Sequence, residues 1–407
     1  MPYRPTQQSS LHSRLGIALV CLAGAWTATT PALAQELIPR NAYDTRLLPR
    51  AAGKLQIEVI DNSPTLSQAL KINASGAIIG VREATNDEQT IFSMTYFYCD
   101  DKSSVDLPQL KGYTNVEATG LSDNGLVVGY ASRPIGRTDG TITAIVWNSK
   151  TGVLTDLGKP GDYAGSHAQD ISADGSTIVG YATGSDPARM KPCVWTLAGD
   201  QKWQATVVNT LHEYNPFIQA SRVIISPNGK RIAACCTTEV TDNRILGGVF
   251  FWDLIEGQWT RKALSDDSFF LRDINDAGLI VGCVSGERGL RFPCFLDNSG
   301  KLKRIDLLPG DESGEANGVA ADGTIVGFSD DPHGPEGGPQ AFRWKNGKTE
   351  PIELGDAPYS AVYSINEAGQ IAGLIDIVIE SATPDAAPAE KTLAFRSAGA
   401  PEKQVER

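Results

Sequence analysis

The chain has 407 residues, of which 41% are apolar and 21% charged, and it contains 41 glycines and 23 prolines. This composition is typical of a globular protein with a large core, and it excludes collagen-like, disordered and multi-span membrane proteins. The formal net charge is −12. Because an acidic surface repels phosphate groups, nucleic acid and anionic lipid are poor candidates for partners.

The first 34 residues have the features of a secretory signal peptide. Arg4 and Arg14 precede an apolar run from Leu15 to Trp26, and Ala32 and Ala34 supply the small residues that a signal peptidase recognises. The run is shorter than the ~20 apolar residues that a membrane anchor needs. We therefore expect cleavage after Ala34 and export to the periplasm or the extracellular space, with no membrane span in the mature chain.

One sequence motif occurs seven times after this segment. It consists of an apolar residue, a small polar one, two turn residues ending in Gly, two or three aliphatic residues and a closing Gly, and its first copy runs from Ile72 to Gly80. An apolar or aromatic pair such as Val146-Trp147 follows each copy, and most copies have a third apolar stretch. The turn glycines, spaced 49, 50, 54, 49, 45 and 46 residues apart, are Gly76, Gly125, Gly175, Gly229, Gly278, Gly323 and Gly369.

Each repeat predicts four short β-strands, because Asn/Asp-x-Gly turns between β-branched or aromatic runs indicate hairpins and no helical periodicity competes with them. Four strands cannot bury both faces alone, so units of this length stack in a ring. We predict an all-β, seven-bladed β-propeller with four-stranded antiparallel blades over residues 55–397. An N-terminal extension (35–54) precedes it and a C-terminal tail (398–407) follows it.

Two further features of the blades follow from the repeat. The seventh unit lacks a fourth strand, and Leu55 to Ile60 stands where a fourth strand would precede the first turn. We therefore predict that this N-terminal strand closes the last blade and removes an exposed edge. The tryptophans at equivalent positions are predicted to pack between neighbouring blades. They are Trp147, Trp195, Trp252 and Trp344.

The repeat resembles that of the HAF-repeat family of bacterial extracellular proteins. The closest matches are Ala168 to Gly180, Asp273 to Gly282 and Ala341 to Trp344, and the likeness covers about Leu55 to Arg396. Gln340 replaces the His of the His-Ala-Phe motif, and Ala234 replaces a closing Gly. The resemblance implies a secreted, propeller-like fold of unassigned activity, and it implies no catalytic residue.

The sequence contains no motif of a catalytic, nucleotide or metal site. None of the four histidines is paired at metal-ligand spacing, and no nucleophile elbow, His-Glu-x-x-His or EF-hand pattern occurs. We therefore predict no cofactor. Acidic pairs such as Asp100-Asp101 and Asp330-Asp331 could perform acid–base chemistry. A carbohydrate-active enzyme, either a polysaccharide lyase or a glycoside hydrolase, is thus the alternative to a binding module.

The predicted connections suggest where a ligand would bind. The long, dissimilar loops all leave one face of an up-and-down propeller, and variable loops on a rigid scaffold commonly bind ligands. The preferred prediction is an exported binding or scaffold module for a carbohydrate or a protein. The oligomeric state does not follow from the sequence.

Six residues of that face are the candidate ligand contacts. Tyr113 and Tyr163 each stand 12 residues before a turn glycine, so they should be equivalent, close to Glu117 and His167 at the mouth of the central channel. Tyr214 and Tyr359 lie on the corresponding loops of other units. Their rings could stack on sugars or anchor side chains of a partner. Packing of the rings onto their own loops is the competing interpretation.

Six cysteines follow the signal peptide, an even number for an oxidising compartment. Cys283 and Cys294 flank the hairpin of the fifth unit, which predicts a possible cross-strand disulfide. Two buried free thiols are the alternative, because free Cys packs well in a core.

Overall fold

The structure is a computed structural model. Within the residues that it describes, the regular elements are 29 β-strands and a 3-10 turn at Glu287–Gly289, and no helix there is long and apolar enough to cross a membrane. The described residues are 46–47, 55–60, 66–85, 91–133, 142–184, 190–199, 202–208, 219–240, 244–265, 269–332, 338–355, 357–379 and 389–398.

Seven antiparallel sheets arranged as blades form a seven-bladed β-propeller, as the repeat predicted. Two N-terminal strands, β1 (Arg46–Leu47) and β2 (Ile57–Ile60), precede blade 1. The strands of blades 1 to 3 are β3 (Ser67–Ile72), β4 (Ile78–Thr85), β5 (Ile91–Cys99), β6 (Ser104–Asp106), β7 (Asn115–Leu121), β8 (Leu126–Ser132), β9 (Ile142–Asn148), β10 (Leu154–Asp156), β11 (Gly165–Ile171), β12 (Thr177–Thr183), β13 (Met190–Leu197) and β14 (Trp203–Val207).

The remaining blades repeat this order. Their strands are β15 (Gln219–Ile225), β16 (Arg231–Val240), β17 (Arg244–Ile255), β18 (Gln258–Ser265), β19 (Phe269–Ile274), β20 (Ile280–Ser285), β21 (Arg291–Leu296), β22 (Leu302–Arg304), β23 (Ser313–Val319), β24 (Ile325–Asp330), β25 (Gln340–Lys345), β26 (Lys348–Pro351), β27 (Ser360–Ile365), β28 (Ile371–Ile379) and β29 (Ala389–Ser397). The first strands of neighbouring blades contact one another around the ring, and β27 meets β3 to complete it. We call these seven the inner strands and the space that they enclose the central channel.

The ring is stabilised by an apolar cluster at each blade interface. Trp147 of blade 2 packs with Ile79 and Tyr98 of blade 1, and the Tyr98 and Trp147 ring centroids are 5.6 Å apart. Trp195 and Trp252 fill the next two interfaces and are completely buried. Trp344 is only partly buried. These tryptophans therefore pack between blades, as predicted.

The structure explains why the repeat has a glycine at its turn and another at its closing position. All seven turn glycines adopt positive φ, between 70° and 86°, which only glycine adopts without strain. The closing glycine faces the backbone of the inner strand. At Gly180 a Cβ atom would lie well inside contact distance of the His167 carbonyl oxygen, and at Gly129 the same holds for Glu117. The inner strand therefore packs directly against these glycines.

Blade 4 shows how the repeat tolerates an exception. In the other six blades the inner strand has a β-bulge just after the residue opposite the closing glycine, as between Ala168 and Asp170. In blade 4 the bulge lies earlier, between Ala220 and Arg222. Ala234, which replaces the closing glycine, then pairs with Val223 in regular register.

The N-terminal strand closes the propeller, as predicted. Strand β2 pairs antiparallel with β29 of blade 7, and Val59 lies opposite Phe395. The Arg396 guanidinium reinforces this closure by bonding Glu58 of β2 at 2.9 Å and the Gly76 carbonyl of blade 1 at 2.6 Å. Strand β1 adds a short fifth strand, so part of the stretch assigned to the N-terminal extension belongs to the last blade.

The disulfide considered between Cys283 and Cys294 is not formed, and both thiols are free and buried. Cys283 lies opposite Pro293, whereas Cys294 lies opposite Gly282. This one-residue offset directs the two side chains to opposite faces of the blade. Burial raises the pKa of the Cys283 thiol to about 12, as expected for an unreactive core cysteine.

Candidate functional site

The central channel has two different ends. At the short-turn end, the inner strands finish in the tight turns that contain the turn glycines. At the loop end, the inner strands begin, and the longer connections from the preceding blade arrive. The candidate residues Tyr113, Glu117, Tyr163 and His167 all lie at or near the start of an inner strand, and therefore at the loop end.

The short-turn end carries a hollow of about 540 Å³ that is lined by acidic turns. Its carboxylates already serve the turns. Asp123 accepts a hydrogen bond from the Ala74 backbone N–H at 2.8 Å, and Asp276 accepts one from Asn228 at the same distance. At Asp174, burial acts to raise the pKa, but hydrogen bonds from Ser172 and Ser176 outweigh it and lower the pKa. These acids therefore have a structural role.

Side chains from neighbouring blades cap the free edges of the inner strands inside the channel. Asp170 accepts a hydrogen bond from the Ile225 N–H at 3.1 Å, and Asp273 accepts one from Val319 at 3.0 Å. Lys71 lies 3.5 Å from Asp273. Burial alone would lower the pKa of Lys71, but Asp273 and Asp170 reverse this effect and raise it. This middle layer of the channel thus joins the blades to one another.

A second layer lies nearer the loop end. In each blade, the residue that directly follows the closing glycine (Ala234 in blade 4) pairs with one residue of the inner strand; in blade 3, for example, Tyr181 pairs with His167. We call the seven inner-strand residues at this position the upper ring. They are Gln68, Glu117, His167, Arg222, Phe270, Glu315 and Ala361.

On one side of the upper ring, charges are fully paired. The buried Glu315 carboxylate forms a salt bridge with the Arg272 guanidinium, with an N–O distance of 2.7 Å, and a second salt bridge with Arg291. Burial acts to lower the pKa of Arg291, but Glu315 outweighs it and raises the pKa. Phe270 lies beside this group with Arg291 5.6 Å from its ring centroid, and it is 44% exposed. This side offers a partly exposed apolar ring next to neutralised charges.

On the other side, the upper ring is aromatic. The His167 ring lies between Tyr130, at a centroid distance of 3.7 Å, and Tyr181, at 4.7 Å. Burial lowers the pKa of His167 to about 3, so the imidazole is neutral at physiological pH. Its Nδ1 atom is buried without a hydrogen-bond partner among the described residues. Glu117 accepts a hydrogen bond from the Tyr96 hydroxyl at 3.1 Å.

Arg222 is the upper-ring residue of blade 4 and follows the aromatic group of Tyr130, His167 and Tyr181 around the channel. Its Nε atom is buried and has no hydrogen-bond partner within the described part of the chain, although the residue as a whole is half-buried. Burial lowers the pKa of its guanidinium, and the charges of Asp170 and Asp273 oppose that shift. Lys71, Arg272 and Arg291 each have a carboxylate within salt-bridge distance, whereas no such partner of Arg222 occurs among the described residues.

The structure places the predicted loop tyrosines in equivalent turns. The Tyr113 N–H bonds to Leu110 and the Tyr163 N–H to Pro160, and both side chains are half-buried. Arg133 lies 4.9 Å from the centroid of the Tyr113 ring, while Tyr163 packs on the core between blades 2 and 3. Tyr359 is also half-buried. Tyr214 lies outside the described residues. These rings are therefore partly used in packing.

The sequence prediction missed Arg222 of the upper ring and two tyrosines that pair with upper-ring residues, Tyr130 opposite Glu117 and Tyr181 opposite His167. Tyr130 and Tyr181 both follow a closing glycine, and an alignment of the seven repeats would have placed them in one layer. Arg222 had no such signal, because the shifted bulge of blade 4 determines which residue enters the ring. Within the described ranges no group of three or more His, Cys, Asp or Glu side chains is arranged to hold a metal ion.

Comparison with known proteins supports the fold alone. No family model and no curated protein matches the chain, so the HAF-repeat resemblance stays a prediction. The chain is similar to the β-propeller domain of the Trilobed protease from Pyrococcus furiosus, with 11% identity over 81% of this chain and 95% of that one and a TM-score of 0.47. It is also similar to a prolyl endopeptidase structure, with 10% identity, 81% coverage of this chain and a TM-score of 0.52. The chain spans 50% of that endopeptidase.

Proposed function

We propose that this protein is an exported binding module that holds its ligand at the loop end of the central channel. The observation that carries the proposal is the row of Tyr130, His167, Tyr181 and Arg222 at that end. It combines packed aromatic rings with a guanidinium that has no partner in the described residues. Aromatic and arginine side chains dominate the energetics of many binding sites. The sequence of residues 1–34 supports export.

The same groups favour binding over catalysis. A general base needs a pKa near the working pH and access to the substrate. His167 has a pKa of about 3 and is covered by two tyrosines, while Glu315 is held by two arginines. Glu117 is engaged by Tyr96. None of these three groups is arranged as an acid–base pair around an open space.

The ligand class that fits best is a protein segment, with carbohydrate as the second candidate. Sugars bind by stacking on open aromatic faces. Tyr130 and Tyr181 each have one face on His167, and Arg133 covers a face of Tyr113. The site therefore offers the edges of aromatic rings, one guanidinium and the partly exposed Phe270 ring, a combination that resembles a protein–protein hot spot.

The test is a screen of the mature chain against a glycan array and a random peptide library, beside an assay for polysaccharide degradation. We expect binding without turnover. Tyr113→Ala should weaken the selected ligand about tenfold, since one buried ring contributes on the order of 1–3 kcal/mol. Leu254→Ala with Ile255→Ala removes exposed apolar side chains from the opposite end and is the matched control. Turnover of a polysaccharide, or a loss of affinity in the control alone, would contradict the proposal.

A further inference from the structure

Arg222 is a channel cation that has no salt-bridge partner among the described residues, although Asp170 and Asp273 are close enough to influence its pKa. The inner-strand cations Lys71 and Arg272 bond Asp273 and Glu315, respectively, and Arg291 of the third strand of blade 5 also bonds Glu315. Arg222 has a buried Nε atom without a partner in the described part of the chain. Leaving a donor of a charged group without an acceptor is unfavourable. No hydrogen bond or salt bridge joins the rest of the guanidinium to the described residues either, and its outer nitrogens are not among the buried atoms, so they are the donors that an external acceptor would reach.

The surroundings of Arg222 restrict what that acceptor can be. The nearby Asp170 already accepts the Ile225 N–H through Oδ2, and Tyr181 stacks on His167. Because His167 is neutral, with a pKa of about 3, it adds no positive charge. A planar carboxylate matches the guanidinium, since the two can form paired N–H···O bonds.

The next position of the upper ring adds an apolar contact. Phe270 follows Arg222 around the ring on blade 5 and is 44% exposed, although it belongs to an inner strand. The inner strands β15 and β19 that carry Arg222 and Phe270 contact each other, so both residues are open to one segment that crosses from blade 4 to blade 5. An extended segment with an acidic residue next to an apolar one could make both contacts.

We propose that Arg222 and Phe270 form a subsite for an acidic side chain, or a C-terminal carboxylate, of a protein partner whose segment enters the channel from the loop end. This inference rests on the proposed function and names its ligand chemistry. The carboxylate accepts hydrogen bonds from the Arg222 guanidinium, and an adjacent apolar side chain packs on Phe270. Within an acidic protein, the subsite selects for acidic segments by a local contact rather than by net charge.

The experiment measures binding of the mature chain to a peptide array. Every peptide is made in two versions, one with Asp and Glu at its acidic positions and one with Asn and Gln at the same positions. We expect the acidic version of the binding peptides to lose at least about tenfold in affinity on conversion to the amide, because a hydrogen bond to a charged group contributes about 1.5–3 kcal/mol. Arg222→Gln should cause a similar loss, and the two changes together should not add. Arg343→Gln removes an exposed arginine paired with Glu350 and is the matched control.

The outcomes separate the subsite from the binding function. If acidic and amide peptides bind equally to the loop end, the carboxylate subsite is wrong and the binding module stands. If hexuronate oligosaccharides bind in an Arg222-dependent way and no peptide does, the protein partner is wrong. If nothing binds, both proposals fail. Should Arg222→Gln fail to fold, Arg222→Lys and the comparison of acidic with amide peptides on the unaltered protein decide the question.

Discussion

In the six repeats that have a closing glycine, a close backbone contact rather than a turn requires this residue. At Gly180 a Cβ atom would overlap the His167 carbonyl oxygen, so the contact also sets the height of the His167 side chain in the channel. In the same way, Gly129 positions Glu117, and Gly327 positions Glu315. A single small residue therefore positions each of these members of the upper ring.

This contact makes Gly180→Ala a sharp test of the repeat. We expect the variant to lose about 1–3 kcal/mol of unfolding free energy, because added atoms in a packed site force backbone shifts. The control is Gly199→Ala, where a Cβ atom would meet nothing within 4 Å and the change should stay within about 0.5 kcal/mol. Urea denaturation measures both. Equal stabilities of the two variants would refute the proposed role of the closing glycine.

His167 predicts a pH dependence of stability. Its pKa is about 3 in the folded chain, below the ordinary value of about 6.5 in an unfolded chain. The unfolded state therefore binds a proton first, and the stability contributed by the neutral ring is present above pH 6.5 and is lost as the pH falls toward 3. The expected loss is up to about 1.4 kcal/mol per pH unit in that window.

The variant His167→Gln separates this contribution from that of the carboxylates, which titrate in both proteins. The free energy of unfolding should fall less steeply between pH 6.5 and pH 4 in the variant than in the unaltered chain. Denaturation curves at several pH values give both slopes. Parallel slopes would show that His167 does not titrate in the way its burial implies.

At the scale of the elements, closure depends on a strand from the other end of the chain. Ile57, Val59 and Ile60 of β2 are all buried, and Arg396 ties β2 to blades 7 and 1. Burial of such side chains contributes about 1.5–3 kcal/mol each. The ring is therefore held together by contacts that only the folded N-terminal segment can provide.

Removal of this segment should open the ring. A chain that begins after Asp61 lacks β1 and β2, and its melting temperature should fall by at least about 5 °C, given the apolar burial that is lost. A chain that begins at residue 46 retains both strands and serves as the control. An unchanged melting temperature in the shorter chain would mean that β2 does not close the propeller.

The sequence predicted the blades better than the channel. Turn glycines, alternating apolar runs and equivalent tryptophans are local signals, so they identified seven blades and the closing strand. The upper ring depends on register across each blade, and the bulge in blade 4 moves Arg222 into it without a change that a motif search detects. Register also separates the two alternatives for Cys283 and Cys294, because an offset of one residue directs their side chains to opposite faces and leaves two free thiols.

At the scale of the whole molecule, the two ends of the channel differ in what their polar groups do. At the short-turn end, carboxylates such as Asp123 and Asp276 are used by neighbouring turns. At the loop end, Arg222 and His167 have buried nitrogen atoms without partners in the described residues. The proposed ligand site therefore lies at the loop end, and the polar groups of the short-turn end hold neighbouring blades together.

Hydrogen–deuterium exchange of residues 35–407, with and without the ligand that binds most tightly in the glycan and peptide screens, tests this division most directly. Segments 107–117 and 157–167 at the loop end are expected to exchange more slowly in the complex, while the turns 122–125, 172–176 and 275–278 should be unchanged. Protection confined to those turns would place the ligand on the acidic hollow at the opposite end and would contradict the account.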